Sequence, residues 1–248
     1  MKVVILAGGF GSRLSEETDI KPKPMIEIGG KPILWHIMKI YAAQGFNEFV
    51  ICCGYKGHKI KEYFLNYYLH NSDIYIDTSN NELQIKNSNS SNFKISLVDT
   101  GLKTMTAGRI NKIKDYINTD DFFLTYGDGV ANIDVNDELK FHRKHGKIGT
   151  MTIVQPEGKY GSLKFNDNNI VQDFKEKPKG DGAWINGGFF ILKKEIFDYL
   201  DDSFENIMWE QEPLDNLKDM QELVAYKHSG FWKSMDSMKD KNELEKIW

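Results

Sequence analysis

Val3-Val4-Ile5-Leu6-Ala7 runs without a polar interruption into Gly8-Gly9-Phe10-Gly11-Ser12-Arg13-Leu14, and ten residues beyond Arg13 stands Lys23, held between Pro22 and Pro24. Five apolar residues in a row predict a strand buried on both faces, as in a parallel sheet. A glycine loop directly behind such a strand lets backbone N–H groups approach an anion closely, because glycine has no Cβ to hold the anion away. Arg13 and Lys23 add two full positive charges at the same mouth. The stretch reads as a triphosphate site.

Two better-known glycine motifs are excluded. The dinucleotide fingerprint G-x-G-x-x-G needs a glycine at position 14, which is Leu, and no G-x-x-x-x-G-K-[ST] run occurs. Neither H-E-x-x-H nor G-x-S-x-G is present, which argues against a zinc hydrolase or a serine hydrolase.

Composition narrows the class further. With 32 basic and 36 acidic residues the chain carries a formal charge of −4, unlike a nucleic-acid binder with its net basic face. An acidic protein still handles anions where its cations converge in one cleft. Cys52 and Cys53 are adjacent in an apolar run, which predicts buried free thiols on a strand and suits a reducing cytoplasm. No export signal and no apolar run long enough for a membrane span are read from the sequence, so no membrane partner is expected.

Short apolar runs alternate with amphipathic stretches, the pattern of a sheet covered by helices on both faces. Strands are predicted at Val3 to Ala7, Glu48 to Cys53, Ile95 to Asp99, Phe122 to Tyr126 and Thr150 to Val154. Helices are predicted at Pro32 to Gln44, closed by Gly45, and at His58 to Tyr67, Ala107 to Ile117 and Asn136 to His145, the last capped by Asn136 or Asp134. Asn80 to Asn92 is expected to be an exposed β-ribbon or loop, with a flexible excursion favoured. Ser162 to Phe165, Ile170 to Glu176 and Gly187 to Leu192 are predicted as antiparallel strands of a lid or platform. The expected fold is α/β: a Rossmann-like, mostly parallel sheet flanked by helices, with an added small antiparallel β platform.

Further chemistry stands at strand ends. Tyr126-Gly127-Asp128-Gly129-Val130 places a carboxylate on the same rim as the glycine loop, and Asp236 precedes a terminal helix predicted over Ser237 to Ile247. Two carboxylates suit Mg²⁺, which fills its other positions with water and phosphate oxygens. Phe174-Lys175-Glu176-Lys177-Pro178 and Asn186-Gly187-Gly188 offer a cation for a second phosphate and groups that accept from or donate to sugar hydroxyls.

These motifs carry a resemblance. G-G-x-G-[ST]-R-L followed by K-P-K-P resembles the sugar-phosphate nucleotidyltransferases, and the Lys31-Pro32-Ile33-Leu34-Trp35-His36 and Trp209-Glu210-Gln211-Glu212-Pro213-Leu214 runs resemble their cytidylyl branch. The likeness extends over nearly the whole chain. It implies transfer of a cytidylyl group from CTP to α-D-glucose 1-phosphate, giving CDP-glucose and pyrophosphate. The backbone of Leu6, Ala7, Gly8, Gly9, Gly11 and Ser12 would hold the nucleotide with Gly127 and Asp128, and Arg13 and Lys23 would lie on its phosphates. Asp128 and Asp236 would hold Mg²⁺, Lys177 would grip the sugar phosphate, and Glu176, Asn186 and Gly187 would face the hexose. Arg13, Lys23 and Lys177 would be the catalytic cations. Thr106 and Arg109 would lie near base and triphosphate, although Ala107 stands where the family pattern leads one to expect Gly.

The resemblance also implies a homo-oligomer of hexameric form in the cytoplasm, and a basic, Trp-containing tail shortly beyond Trp248. One domain over 1–248 is expected, with a nucleotide-binding part over about 1–155, a sugar-binding part over about 156–236 and a terminal helix over about 237–247. Two alternatives stay open at this point: use of UTP, dTTP or another phosphorylated acceptor, and a non-catalytic subunit that senses nucleotide sugars.

Overall fold

The computed structural model describes residues 1–156, 158, 161–176, 179 and 183–248, and of Arg13 and Ser15 the backbone alone. Seven strands form the central sheet: β1 (Lys2–Ala7), β2 (Glu48–Cys53), β3 (Lys94–Asp99), β4 (Asp121–Tyr126), β5 (Gly149–Val154), β6 (Ile185–Lys193) and β7 (Leu223–His228). Their order is β7-β5-β6-β4-β1-β2-β3, and every neighbouring pair is parallel except the two that β6 makes with β5 and β4. The five strands predicted from apolar runs are β1 to β5, each within one residue of its expected bounds.

Burial on both faces explains the unbroken apolar runs. Val3, Ile5 and Ala7 join a core with Phe49, Ile51 and Phe123, while Val4 and Leu6 point into the opposite core with Val50, Cys52 and Leu124. Helix α1 (Ile33–Ala42) covers the first face. It ends in a Schellman turn in which Gly45 takes φ +95° and the N–H groups of Gly45 and Phe46 donate to the carbonyls of Ala42 and Tyr41, both at 3.1 Å. Next come α2 (Gly57–Leu65), α3 (Thr106–Lys112), α4 (Val135–His145), α5 (Glu212–Asp219) and α6 (Met238–Ile247). Asp134 rather than Asn136 caps α4, accepting from the Asp137 N–H at 2.9 Å. Ser237 caps α6.

Several elements differ from expectation. α2 stops at Leu65, because Asn66 turns its side-chain amide back onto the Glu62 carbonyl at 2.9 Å, and a separate helical turn covers Tyr67–His70. α3 stops at Lys112, and a 3₁₀ turn over Lys114–Tyr116 carries the chain on with Ile113 and Ile117 buried. The Asn80 to Asn92 region is no loose excursion: Glu82–Lys86 pairs with Asp73–Asp77 in a hairpin. The Asp77 carboxylate ties its turn by accepting from Ser79 and Asn80, which accounts for the Asn/Ser-rich composition. Of the three platform strands, only Ser162–Phe165 and Val171–Lys175 pair as a separate ribbon. The third belongs to β6, inside the central sheet between β5 and β4.

The chain leaves β1 toward β2 on one side and reaches β4 on the other. The carboxyl ends of β1 and β4 therefore flank a crevice, the usual ligand position in such sheets. The Gly127 N–H donates to the Leu6 carbonyl at 3.0 Å and fixes the two ends side by side. No helix among the described residues is long and apolar enough to cross a membrane.

Candidate active site

The glycine loop follows β1 as predicted, and its glycines have distinct reasons to be there. A Cβ on Gly8 would lie 2.2 Å from Nη1 of Arg109. Gly11 takes φ +65°, a conformation that favours glycine, and a Cβ there would meet the Lys23 Cβ at 3.0 Å. Among the described residues, nothing lies within 4 Å of a Cβ built on Gly9. Ser12 begins a 3₁₀ turn that closes with the Leu14 N–H on the Gly11 carbonyl at 3.0 Å.

Arg109 lies beneath the loop and is buried. Nη2 donates to the Gly8 carbonyl at 3.0 Å, and Nη1 donates to Thr100 Oγ1 at 2.6 Å and to the carbonyls of Gly101 and Cys53 at 2.9 and 3.2 Å. The guanidinium thus satisfies three carbonyls at the carboxyl ends of β1, β2 and β3, leaving it to brace the loop from below.

Lys23, Asp128 and Asp236 come together, with the ammonium between the two carboxylates. Lys23 sits in a 3₁₀ turn over Lys23–Met25, with Pro22 and Pro24 fixing its backbone. Asp128 follows β4, and the Gly129–Ala131 segment pairs antiparallel with Trp232–Ser234. That ribbon, continued by the Met235 N–H on the Asp128 carbonyl at 2.9 Å, carries Asp236 to Asp128. Lys23 Nζ then donates to Asp128 Oδ2 at 2.6 Å and to Asp236 Oδ1 at 2.9 Å. Burial alone would depress the ammonium, but the two carboxylates more than reverse this and hold its pKa above the ordinary lysine value. Ser234 Oγ orients the other oxygen of Asp236 at 2.8 Å.

These two carboxylates fit a divalent cation. Both reach one positive centre, they outnumber its charge, and Mg²⁺ commonly takes one or two protein carboxylates. No group of three candidate metal-ligating side chains occurs among the described residues, so phosphate and water oxygens would complete its shell.

A hydrogen-bonded array of a phenol, an amide and a carboxylate lies on the other side of β4. Opposite β5, β6 bulges at Gly187-Gly188, where the register jumps from Met151 facing Phe190 to Ile153 facing Asn186. Gly188 takes φ +78°, and a Cβ there would stand 2.6 Å from the Tyr126 ring. The bulge swings Asn186 toward that ring, and its Nδ2 donates to the Tyr126 hydroxyl at 3.1 Å. Tyr126 in turn donates to Glu210 Oε1, whose other oxygen accepts from Thr106 Oγ1 at 3.2 Å. Trp232 Nε1 donates to the Gly187 carbonyl at 2.7 Å.

Leu6, Ala7, Gly8, Gly9, Gly11, Ser12, Lys23, Gly127, Asp128 and Asp236 therefore converge on the crevice, with Thr106, Asn186 and Gly187 joined through the Tyr126 network. Glu176 follows the Val171–Lys175 strand. Lys177 and the side chain of Arg13 lie outside the described residues. Sequence reading assigned no role to Tyr126, Trp232 or Glu210. The branch-like Trp209 to Leu214 run was the one signal that pointed toward Glu210.

The nucleotidyl transferase family model matches residues 2–240. A glucose-1-phosphate cytidylyltransferase of Salmonella typhimurium is 51% identical over 249 residues, spanning 100% of this chain and 96% of that protein. The chain belongs to the nucleotidyl transferase family. A probable glucose-1-phosphate cytidylyltransferase of Bacillus subtilis is 47% identical, again over 100% of this chain and 96% of the relative. Among solved structures, a putative glucose-1-phosphate thymidylyltransferase from Bacillus anthracis, in complex with a sucrose, superposes with a TM-score of 0.72 at 15% identity, covering 100% and 94% of the two chains. A UDP-glucose pyrophosphorylase complexed with UDP-glucose gives 0.69 at 18%, covering 99% and 97%. At those identities the likeness is one of fold.

Proposed function

We infer that this nucleotidyltransferase moves a cytidylyl group from CTP to α-D-glucose 1-phosphate, forming CDP-glucose and releasing pyrophosphate. The observation that carries the reading is the full-length 51% identity to a glucose-1-phosphate cytidylyltransferase, joined to a Lys23–Asp128–Asp236 centre at the mouth of the glycine loop.

The chemistry follows from charge. A sugar phosphate is largely dianionic near neutral pH, since its second ionisation lies near pH 6, so its oxygen needs neither a general base nor a protein nucleophile. That oxygen bonds to the α-phosphorus of CTP in line with the breaking bond to the β-phosphoryl oxygen, and pyrophosphate leaves with the electron pair. The obstacle is bringing two anions together. The backbone of the Gly8 loop and Lys23 offset the charge of the triphosphate, with Arg13 assigned beside Lys23 from its place in the motif. Asp128 and Asp236 would hold Mg²⁺, which supplies further neutralisation of phosphate oxygens when bound. Lys177 is assigned to the sugar phosphate, and Glu176, Asn186 and Gly187 to the hexose hydroxyls. The buried thiols of Cys52 and Cys53 support a reducing, cytoplasmic setting. Burial raises both, Cys53 to about 11.

Purified protein incubated with each NTP, Mg²⁺ and a panel of sugar 1-phosphates tests the reading through pyrophosphate release. CTP with glucose 1-phosphate is expected to give the highest rate. Turnover with UTP or dTTP and none with CTP contradicts the base assignment while leaving the reaction class in place.

A further inference from the structure

We propose that Glu210 is a positioning residue that sets the direction of a hydrogen-bond chain through Tyr126, so that Asn186 meets the sugar as a donor. The proposal rests on the functional reading above and extends it to a residue outside the glycine loop and the charged centre.

Proton counting fixes the direction of the chain. A carboxylate accepts and cannot donate, whereas a phenol has one proton to give. Glu210 Oε1 receives that proton from Tyr126, and burial in the first place, then the Glu210 charge, raises the phenol so that it keeps the proton across the working pH range. The Tyr126 oxygen is left with acceptor capacity toward Asn186, which must therefore present its NH₂ group, at 3.1 Å. With Nδ2 fixed, Oδ1 is fixed too, and it accepts from the Gly188 N–H at 2.8 Å. Both ends of the amide agree on one orientation. Its carbonyl is occupied inside the bulge, and the second N–H of the NH₂ group remains for a sugar hydroxyl. Glu176, an acceptor when ionised, complements that donor.

Glu210 is placed to impose this polarity because its second oxygen is anchored independently. Thr106 Oγ1 donates to Oε2 at 3.2 Å while accepting from the Trp209 N–H at 2.7 Å, which ties the carboxylate to the start of α3. The chain of contacts links α3, β4 and β6, elements from three separate parts of the sequence.

Glu210→Gln is the sharp test. The new side chain keeps an oxygen for Thr106 but offers an NH₂ group to Tyr126, so the phenol is released to donate toward Asn186 and the amide loses its enforced orientation. The expected result is a KM for glucose 1-phosphate raised about tenfold with the KM for CTP within about twofold of wild type. Tyr126→Phe should act on the same constant, and the double variant should be no worse than Tyr126→Phe alone, since both remove one chain. Thermal midpoints of the variants report whether each remains folded. Equal effects on both KM values, no effect on either, or additive losses in the double variant overturn the positioning role. Wild-type protein that releases no pyrophosphate from CTP and glucose 1-phosphate overturns the functional reading instead, and with it the substrate named here.

Discussion

The two halves of the sheet that meet at β4 work by different physics. On the β1–β2–β3 side, strands are parallel, β1 and β2 are apolar on both faces, and function gathers at the mouth of the loop behind β1 as full charges, with one ammonium against two carboxylates brought in from β4 and the Trp232–Ser234 ribbon. On the β6–β5–β7 side, one strand is reversed, the site-facing groups are an amide and a phenol, and polar side chains lie buried beneath. Thr150, Thr152, Glu138 and His142 are all at most 1% exposed. Charge acts at a distance and tolerates small misplacements. An oriented amide requires that every partner behind it be fixed. The difference suits a reaction in which one substrate is a polyanion and the other carries hydroxyls whose arrangement must be read.

If that division holds, the largest single loss comes from the charged half. Lys23→Ala is expected to lower turnover by 10²–10³, about 3–4 kcal/mol, measured by pyrophosphate release at saturating substrates. Near-normal turnover would break the contrast at its strongest point.

The second effect belongs to the other half and is one of stability. Glu138, on α4, is fully buried, accepts from Thr152 Oγ1 at 2.6 Å, and leaves Oε2 without a hydrogen-bond partner among the described residues. Burial raises its pKa to about 7, with the Thr152 bond opposing. Between the ordinary carboxylate value and about pH 7 the native state holds a proton that the unfolded chain has released. Stability is therefore full at low pH, falls as pH rises through about 7, and is level above. Glu138→Gln keeps the site neutral, so the variant should be more stable than wild type at pH 8, by up to about 3 kcal/mol, with the gain vanishing near pH 4. Burial holds His142 down to about 4, which works in the opposite sense as pH falls, but in both proteins, so it cancels from the difference. Urea unfolding of the pair at the two pH values checks this, and a difference independent of pH contradicts it.

Gly8→Ala sharpens the role of Arg109 as a brace. The added methyl would collide with a guanidinium that four acceptors hold in place, and about 1–3 kcal/mol of stability should be lost in urea unfolding. The smallest expected effect is Asn186→Ala. A rise of about tenfold in KM for glucose 1-phosphate, with KM for CTP unchanged, would place this amide on the sugar and not on the nucleotide.

The same division governed what the sequence disclosed. The parallel half was legible because burial on both faces leaves an uninterrupted signal such as Val3 to Ala7, and because glycines, Lys23 and Asp128 stand directly behind strands. β7 was missed since Leu223–His228 is a half-exposed edge strand, and β6 was placed in the platform because nothing local says that a strand pairs with β4 and β5 rather than with its sequence neighbours. The burial of Arg109 beneath the loop was not legible, because a residue type does not reveal which side of a loop it approaches. The Tyr126–Glu210 contact spans 84 residues, and no spacing rule anticipates it.

The central claim is that the Lys23–Asp128–Asp236 centre supports transfer of the α-phosphoryl nucleotide unit. It is tested most directly by following label from α-³²P CTP and, separately, γ-³²P CTP with glucose 1-phosphate in wild type and Asp128→Asn. The expected result is α label in the nucleotide sugar, γ label in pyrophosphate, and a loss of at least about 100-fold in the variant. Label from the γ position in the sugar product, or transfer by Asp128→Asn at the wild-type rate, would contradict it.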